Sequence, residues 1–431
     1  MTIASPSLAP LLNNELATTY AARALARCKT LSGLSQMQGG IHRVYLSKEH
    51  KECNSVTATW MAEAGMQSWQ DEVGNLWGRL KSSNPNAKRL IIGSHLDTVP
   101  NAGAFDGILG VLLGIEIAAL AHTLKLDLPF HLDVVGFCDE EGTRFATTLI
   151  GSKALANEFD PQWLNIEDTN GITMRQAMLD FGLNPDDYAR AALNKNELLG
   201  YWETHIEQGP VLESVNQALG IVTAIAGAKR AMITLSGQSG HAGTTPMNLR
   251  QDSLAACAEL TLAIEQLAKS ASNGEVATVG QIQARPSATN VIAGKTTISL
   301  DARAQNDNDL AVLLNAIHTR AEQIATSRNL TLDWQWTHAA DAVACDTQIQ
   351  QLFSSACKLN NQASPSLASG AGHDAMAIAP ICPVGMLFMR SPGGISHHPA
   401  ETVIENDVTK ALSVMYSALV LYIKELEESL K

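Results

Sequence analysis

The sequence predicts an α/β protein: a mixed sheet flanked by helices, interrupted by an inserted α+β sandwich. Three observations carry that expectation. Apolar runs end in residues able to do chemistry. Leu90-Ile91-Ile92 leads into Gly93-Ser94-His95-Leu96-Asp97, and Val134-Val135-Gly136-Phe137 leads into Asp139-Glu140-Glu141-Gly142. Each run reads as a short buried strand with an imidazole or acid at its C-terminal end, which is where ligands bind in open α/β sheets. Helix-period and strand-period segments alternate through the first part of the chain, as a parallel or mixed sheet covered by helices requires. After residue 214 the order becomes ββαββαβ with two long helices, the pattern of a small α+β sandwich.

Taken in order, residues 11–29 and 54–66 have helical period, and strands are expected near 68–72, 89–93 and 130–138. Between the last two lies Gly107–Ala121, apolar apart from Glu116. At about 15 residues it is too short to span a bilayer and reads as a helix buried in protein. A helical region around 173–193 and a strand running into Trp202-Glu-Thr-His205-Ile-Glu207-Gln208-Gly209 follow. The insert reads as strands at Gly220–Ile225 and Arg230–Leu235, a helix at 250–269, strands at 276–283 and 295–304, a helix at 308–327 and a strand at 330–336. The α/β character then resumes with helices at 347–359 and 373–379, a strand at 384–389 and a terminal helix at 407–427. The expected domains are 1–214, an insert at 215–336, and 337–431.

A chain of 431 residues exceeds one ordinary core, so two domains are expected. The formal charge is −13, with no basic cluster longer than two or three residues. Nucleic acid and acidic membrane surfaces are therefore not expected partners. The seven cysteines (28, 53, 138, 257, 345, 357 and 382) are scattered, odd in number and form no CxxC pair. That pattern suits reduced, buried thiols in a cytoplasmic protein. The amino terminus shows no cationic segment followed by an apolar core, so no secretory leader is expected.

The chemistry-bearing residues form a set suited to two metal ions. A dinuclear hydrolytic site needs a bridging carboxylate, further ligands on each ion, and a base for the water between them. His95 supplies one ligand and Asp106, in Phe105-Asp106-Gly107, the bridge; Glu141, His205 and one of His397 or His398 complete the set. Asp97, two residues after His95, can accept the imidazole's other N–H. Glu140, beside a ligand but directed elsewhere, is left as general base.

Together these motifs resemble the M20-type metallohydrolases. More narrowly they resemble the amidase, hydantoinase/carbamoylase family of allantoate amidohydrolases, N-carbamoyl-L-amino acid hydrolases and β-ureidopropionases. The carrying residues are Gly-Ser-His95-Leu-Asp97, Phe-Asp106-Gly, Glu140-Glu141-Gly-Thr-Arg-Phe, His205-Ile-Glu-Gln208-Gly, Gly240-His241-Ala-Gly-Thr-Thr-Pro, Asn290-Val-Ile, Asp301-Ala-Arg303 and Gly394-Ile-Ser-His397. The resemblance implies an M20-like catalytic domain with an inserted lid and dimerisation domain. It also implies metal ligands His95, Asp106, Glu141, His205 and His397, with Asp106 bridging, Glu140 as base and Asp97 behind His95. The ligand directly follows the serine in the family pattern, which favours His397 over His398. Related aminopeptidases usually carry an acid at the position of His205, and histidine there marks the amidohydrolase branch.

The resemblance further implies that His241 reaches the active site of a partner subunit in a homodimer and stabilises an oxyanion. Arg230, Asn290 and Arg303 would bind the substrate carboxylate and ureido group, with Gln208 on the same ureido group. An arginine fork suits a carboxylate, and an Asn amide both donates to and accepts from a ureide. Metals on one domain and substrate contacts on the insert imply closure of the insert during catalysis. The expected cofactor is two divalent ions, Zn or Mn first and Co or Ni as alternatives. The expected reaction is hydrolysis of a C–N bond in a ureido or N-carbamoyl acid, allantoate or an N-carbamoyl-L-amino acid, releasing ammonia. The rivals are an aminopeptidase or aminoacylase on the same scaffold, and a non-catalytic binding protein.

Overall fold

The computed structural model describes residues 11–429. The expectation of no leader, and the outer limits of the first and last expected domains, involve residues 1–10 and 430–431 and so lie outside the described residues. Among the described residues, no helix is long and apolar enough to cross a membrane.

The chain divides into two compact units. One runs to Thr223 and resumes over Cys345–Leu367 and from His373 onward; the other comprises Ala224–Ala344 and Ala368–Gly372. In chain order the strands are β1 (Gln67–Gln70), β2 (Leu76–Leu80), β3 (Arg89–His95), β4 (His131–Phe137), β5 (Leu198–Ile206), β6 (Leu219–Ile225), β7 (Gly227–Ser236), β8 (Gly240–His241), β9 (Val276–Thr278), β10 (Ile282–Arg285), β11 (Val291–Ile292), β12 (Lys295–Ala304), β13 (Thr331–Ala340), β14 (Val343–Ala344), β15 (Ser366–Ser369) and β16 (Val384–Met389).

The first unit is built on a mixed sheet in the order β1-β2-β4-β3-β5-β16-β6. Its middle is parallel: β3 pairs with β4 and with β5, and β5 with β16. Antiparallel β2 and β6 flank this middle, on β4 and β16 respectively. Four adjacent parallel strands therefore release their loops at one edge of the sheet, which is the geometric basis of the site.

The helix Ile108–Thr123 packs on β3, β4 and β5 and is buried at every position from Ile108 to Ala121. An apolar surface on all sides makes it a core helix rather than an amphipathic one. Its single charge, Glu116, is buried and ion-paired with Arg23 and with Arg27 at 2.8 Å. Both arginines lie on the helix Asn14–Ser32. Replacing both arginines would strand a buried carboxylate, a loss of about 3–5 kcal/mol.

The second unit is an antiparallel sheet in the order β10-β12-β7-β13, with β9 also on β12. β7 and β12 pair along their whole length, from Gly227 opposite Ala304 to Ser236 opposite Lys295. The helices Ser253–Ser270 and Asp307–Ser327 share its core with inward-facing Ile298, Leu300, Ala302 and Ala304. Period-2 alternation leaves Asp301 and Arg303 on the other face of β12.

Several element boundaries differ from expectation for local reasons. The helix expected at 54–66 spans Lys48–Glu63, because Ser47 caps it by accepting the His50 backbone N–H at 3.0 Å. The helical region expected at 173–193 is a short helix, Met174–Phe181, followed by 3-10 turns. Gly182 ends the helix at φ 97°, and Pro185 opens the next segment. The strand expected at 276–283 is two strands, β9 and β10.

Candidate metal centre

Each candidate ligand follows or ends a parallel strand. His95 closes β3, His205 is the penultimate residue of β5, Glu140 and Glu141 follow β4, and His397 lies beyond β16. Asp106 sits in the loop between β3 and the buried helix. Register holds the strand ends level, with His95 opposite Phe137 and His205 opposite Phe388. Residues far apart in the sequence thus meet over one sheet edge.

The structure brings together all five expected ligands. His205 Nε2 lies 3.2 Å from Asp106 Oδ1, and His95 Nε2 lies 3.8 Å from the same oxygen. His397 Nε2 lies 3.2 Å from Asp106 Oδ2 and 3.3 Å from Glu141 Oε1. One carboxylate oxygen thus faces each half of the set, the arrangement a bridging carboxylate needs. Two groups of three form around Asp106: His95 with His205, and Glu141 with His397. A third group joins His95, Glu140 and Glu141. The neighbouring His398 is turned away, its Nδ1 accepting the Ala400 N–H at 3.1 Å. His397 itself adopts φ 55°, a backbone strain that tends to persist where function over-determines geometry.

These residues fit a metal pair. His205 Nδ1 is 2.8 Å from the Ile206 carbonyl, which only accepts, so Nδ1 carries the proton and Nε2 presents a lone pair. That lone pair faces Asp106 Oδ1, and both atoms are buried without a hydrogen-bond partner. His95 is set the same way, its Nδ1 3.1 Å from the Asp97 carbonyl. Two such groups facing each other in a buried place call for a positive charge between them, a proton on the imidazole or a metal ion in its stead. Ligands about 2.1 Å from one ion stand roughly 3–3.5 Å apart, which matches this spacing. Imidazole and carboxylate donors suit Zn, Mn, Co or Ni.

Asp97 does more than back His95. Its carboxylate is 3.5 Å from His95 Nδ1, while its two oxygens accept the backbone N–H groups of Glu140 and Glu141, each at 3.0 Å. It therefore sets the path of the acidic loop as well as the imidazole. Gln208, expected to meet substrate, donates from Nε2 to Asp106 Oδ2 at 2.9 Å and to Ser396 Oγ at 3.1 Å.

The electrostatics are those of a dense charge cluster out of water. Burial opposes charge on Asp106, yet His205, His397 and His95 hold its carboxyl well below the usual carboxylate range. Burial likewise opposes charge on His95, but Asp106 and Asp97 hold it well above the ordinary histidine value. Burial pushes Glu140 well above the usual range, against the pull of His95 and with help from Glu141 and Asp374. Burial also raises Glu141, to about 7.

Glu203 and His373 adjoin this centre, although neither was expected from the sequence as a ligand. Glu203 faces His205 and His373 closely enough to form a further donor group. Its oxygens already accept from Ser94 Oγ at 2.9 Å and Tyr201 Oη at 3.1 Å, so it supports the site from behind. His373 packs edge-on against His205, ring centres 4.5 Å apart, and burial followed by the charge of His205 keeps its pKa well below the ordinary value. The available signal for Glu203 was an acid inside an apolar strand, two residues from His205 and therefore on the same face.

In the second unit, Arg230 and Arg303 both grip Asp301. Arg230 Nε reaches it at 2.7 Å and Arg303 Nε at 2.8 Å. Arg303 Nη1 also donates to the Gly370 carbonyl at 2.6 Å. The cause is register: Asp301 lies opposite Arg230 in the ladder, and Arg303 is two residues along the same face. His241 pairs opposite Val291 across β8 and β11, and its exposed ring accepts the Gly243 N–H at 3.1 Å. The Asn290 carbonyl accepts the Ala242 N–H at 2.9 Å, so Asn290 adjoins the His241 loop.

Comparison with known proteins identifies the family. Residues 91–420 match the family described as Peptidase family M20/M25/M40. An N-carbamoyl-L-amino acid amidohydrolase of Geobacillus stearothermophilus is 39% identical over 381 residues, covering 88% of this chain and 93% of that one. Allantoate deiminase 1 of Glycine max is 38% identical over 420 residues, covering 90% and 86% respectively. The crystal structure of an amidase of the hydantoinase/carbamoylase family from Burkholderia multivorans superposes with a TM-score of 0.87 at 28% identity, over 93% of this chain and 97% of that one. The family resemblance drawn from the motifs and the mixed α/β fold both hold, and the chain belongs to peptidase family M20/M25/M40.

Proposed function

We propose that this chain is a dinuclear-metal amidohydrolase that cleaves a C–N bond of a ureido or N-carbamoyl acid and releases ammonia. The observation that carries the reading is Asp106, buried, with one oxygen toward His95 and His205 and the other toward His397 beside Glu141. The names of the relatives, an N-carbamoyl-L-amino acid amidohydrolase and an allantoate deiminase, support this choice of bond. Allantoate and N-carbamoyl-L-amino acids are the proposed substrates.

Held by His95, Asp106, Glu141, His205 and His397, two divalent ions, Zn or Mn in this proposal with Co or Ni as alternatives, would polarise the ureido carbonyl and acidify water. Glu140 takes a proton from the attacking water and passes it to the departing nitrogen. Water oxygen adds to the carbonyl carbon, the C–N bond breaks, and the electron pair leaves on ammonia. The product left is a carbamic acid, whose remaining C–N bond breaks as it loses carbon dioxide, the acid proton passing to nitrogen to give an amino acid or, from allantoate, a ureidoglycine-type product. Asp97 holds both the His95 imidazole and the loop bearing Glu140.

The guanidinium groups of Arg230 and Arg303, the Asn290 amide and the Gln208 amide are the proposed contacts for the substrate's carboxylate and ureido ends. His241, proposed to act across a homodimer, donates to the oxygen on which negative charge develops. All seven cysteines are free and buried, in keeping with the cytoplasmic location proposed.

The test is an ammonia-release screen with allantoate, N-carbamoyl-L-amino acids and N-carbamoyl-β-alanine after Mn or Zn loading. Ureido hydrolysis is expected, and Glu140→Gln should retain both ions while losing turnover by roughly 100-fold or more. Activity confined to dipeptides or N-acetyl amino acids would transfer the chain to the aminopeptidase or aminoacylase reading. Retained turnover in Glu140→Gln would remove Glu140 as base.

A further inference from the structure

Glu401 is buried, four residues after His397, and belongs to none of the roles above. Its Oε1 accepts the backbone N–H of Phe105 at 2.9 Å and of Asp106 at 3.1 Å. Its Oε2 accepts the Ser396 hydroxyl at 3.1 Å, and that hydroxyl also lies 3.0 Å from Asp106 Oδ2. Ser396 directly precedes His397, and Phe105 directly precedes Asp106. One carboxylate therefore clasps the segment bearing the bridging aspartate to the segment bearing His397, nearly three hundred residues away in sequence. Room for the clasp comes from Gly103, where a β-carbon would stand 2.2 Å from Glu401 Oε1.

We propose that Glu401, with Ser396, is a positioning residue that sets the spacing between Asp106 and His397 and so governs affinity for the ion between Asp106, Glu141 and His397. The inference rests on the ligand assignment made above. It does not depend on which C–N bond is cleaved. The physical reason is loop entropy. His397 is half exposed and extends from a loop with several residues between it and β16. A flexible loop loses freedom when a ligand closes it. Glu401 and Ser396 meet that cost in the folded protein before an ion arrives, as outer hydrogen bonds to ligand groups commonly do. Neither residue is expected to touch substrate.

The experiment is a calorimetric zinc titration of metal-stripped wild type, Glu401→Ala, Glu401→Gln and Ser396→Ala, with denaturant unfolding of each stripped protein. Wild type should bind two ions. Glu401→Ala should weaken one of the two binding steps by roughly 10–100-fold, the usual effect of removing an outer-shell partner. Glu401→Gln keeps an acceptor for the two backbone N–H groups but turns a donor toward Ser396, so its loss should be smaller. Ser396→Ala should weaken the same step while leaving the backbone contacts intact. Should Glu401→Ala fail to fold, the other two variants still decide the matter. Unchanged zinc affinities in the folded variants, with lowered stability alone, would overturn the inference and leave Glu401 a structural residue. A wild type that binds no zinc would overturn it together with the ligand assignment. Zinc binding that behaves as expected in a protein inert toward ureido acids would leave the inference standing and remove only the proposed substrate class.

Discussion

Gly107 offers a sharp test of how tightly the fold is built around the metal centre. It caps the buried helix at φ 70° and ψ −52°, a region that is rare and strained for any residue with a side chain. A β-carbon there would stand 2.3 Å from His95 Nε2 and 2.4 Å from two further ring carbons. Gly107→Ala therefore acts twice. The backbone conformation costs about 1–3 kcal/mol. The imidazole must also retreat by about 1.1 Å to regain the 3.4 Å of ordinary contact, whereas ligand distances tolerate only about ±0.2 Å. Binding at the position shared by His95, Asp106 and His205 should weaken by at least roughly 10–100-fold, the scale seen when outer-shell support is lost. Zinc titration of the stripped variant by calorimetry reads the affinity, and urea unfolding reads the stability. Two ions bound with wild-type affinity would refute the reasoning, because they would mean that His95 is not held against this turn when it ligates.

Two further outcomes follow from other parts of the molecule. His50 is buried and its Nδ1 accepts the Leu46 N–H, so burial lowers its pKa from 6.5 to about 4. The unfolded chain takes up this proton first; the stabilisation is complete above about pH 6.5 and is lost as pH falls toward 4, by ~3 kcal/mol in all. Urea unfolding at pH 7, 5.5 and 4.5 should show a steeper acid decline for wild type than for His50→Asn, and parallel declines would discount His50. Asp301→Asn removes the charge that Arg230 and Arg303 share. It should raise KM for ureido acids by about tenfold, the scale of one charge-assisted hydrogen bond, with zinc binding unchanged; an unaltered KM would place both arginines outside the substrate site.

The legible part of this protein was the part written in local periodicity. β3, β4, β12 and the helix Thr347–Leu359 were readable because apolar runs of the right length were bounded by breakers or caps. The helix Lys48–Glu63 was misplaced because its cap, Ser47, precedes a polar first turn with no apolar signal. β2 was missed because Gly78 and Arg79 interrupt the apolar run in Leu76–Leu80. His397 was separated from His398 by family pattern in the sequence. In space the separation is a matter of which imidazole reaches Asp106 and Glu141.

Residue order and the family resemblance together named the candidate donors, because imidazole and carboxylate motifs at several strand ends combine into one donor set. Residue order assigned no role to Glu401, Ser396, Glu203 or His373, and Arg230 and Arg303 were named as substrate contacts without their shared grip on Asp301; the importance of these residues lies in what they touch. Contacts such as Glu401 to the Asp106 backbone join positions 295 residues apart. No local pattern encodes them; the parallel order of β4, β3, β5 and β16 creates them by bringing distant loops to one edge of the sheet.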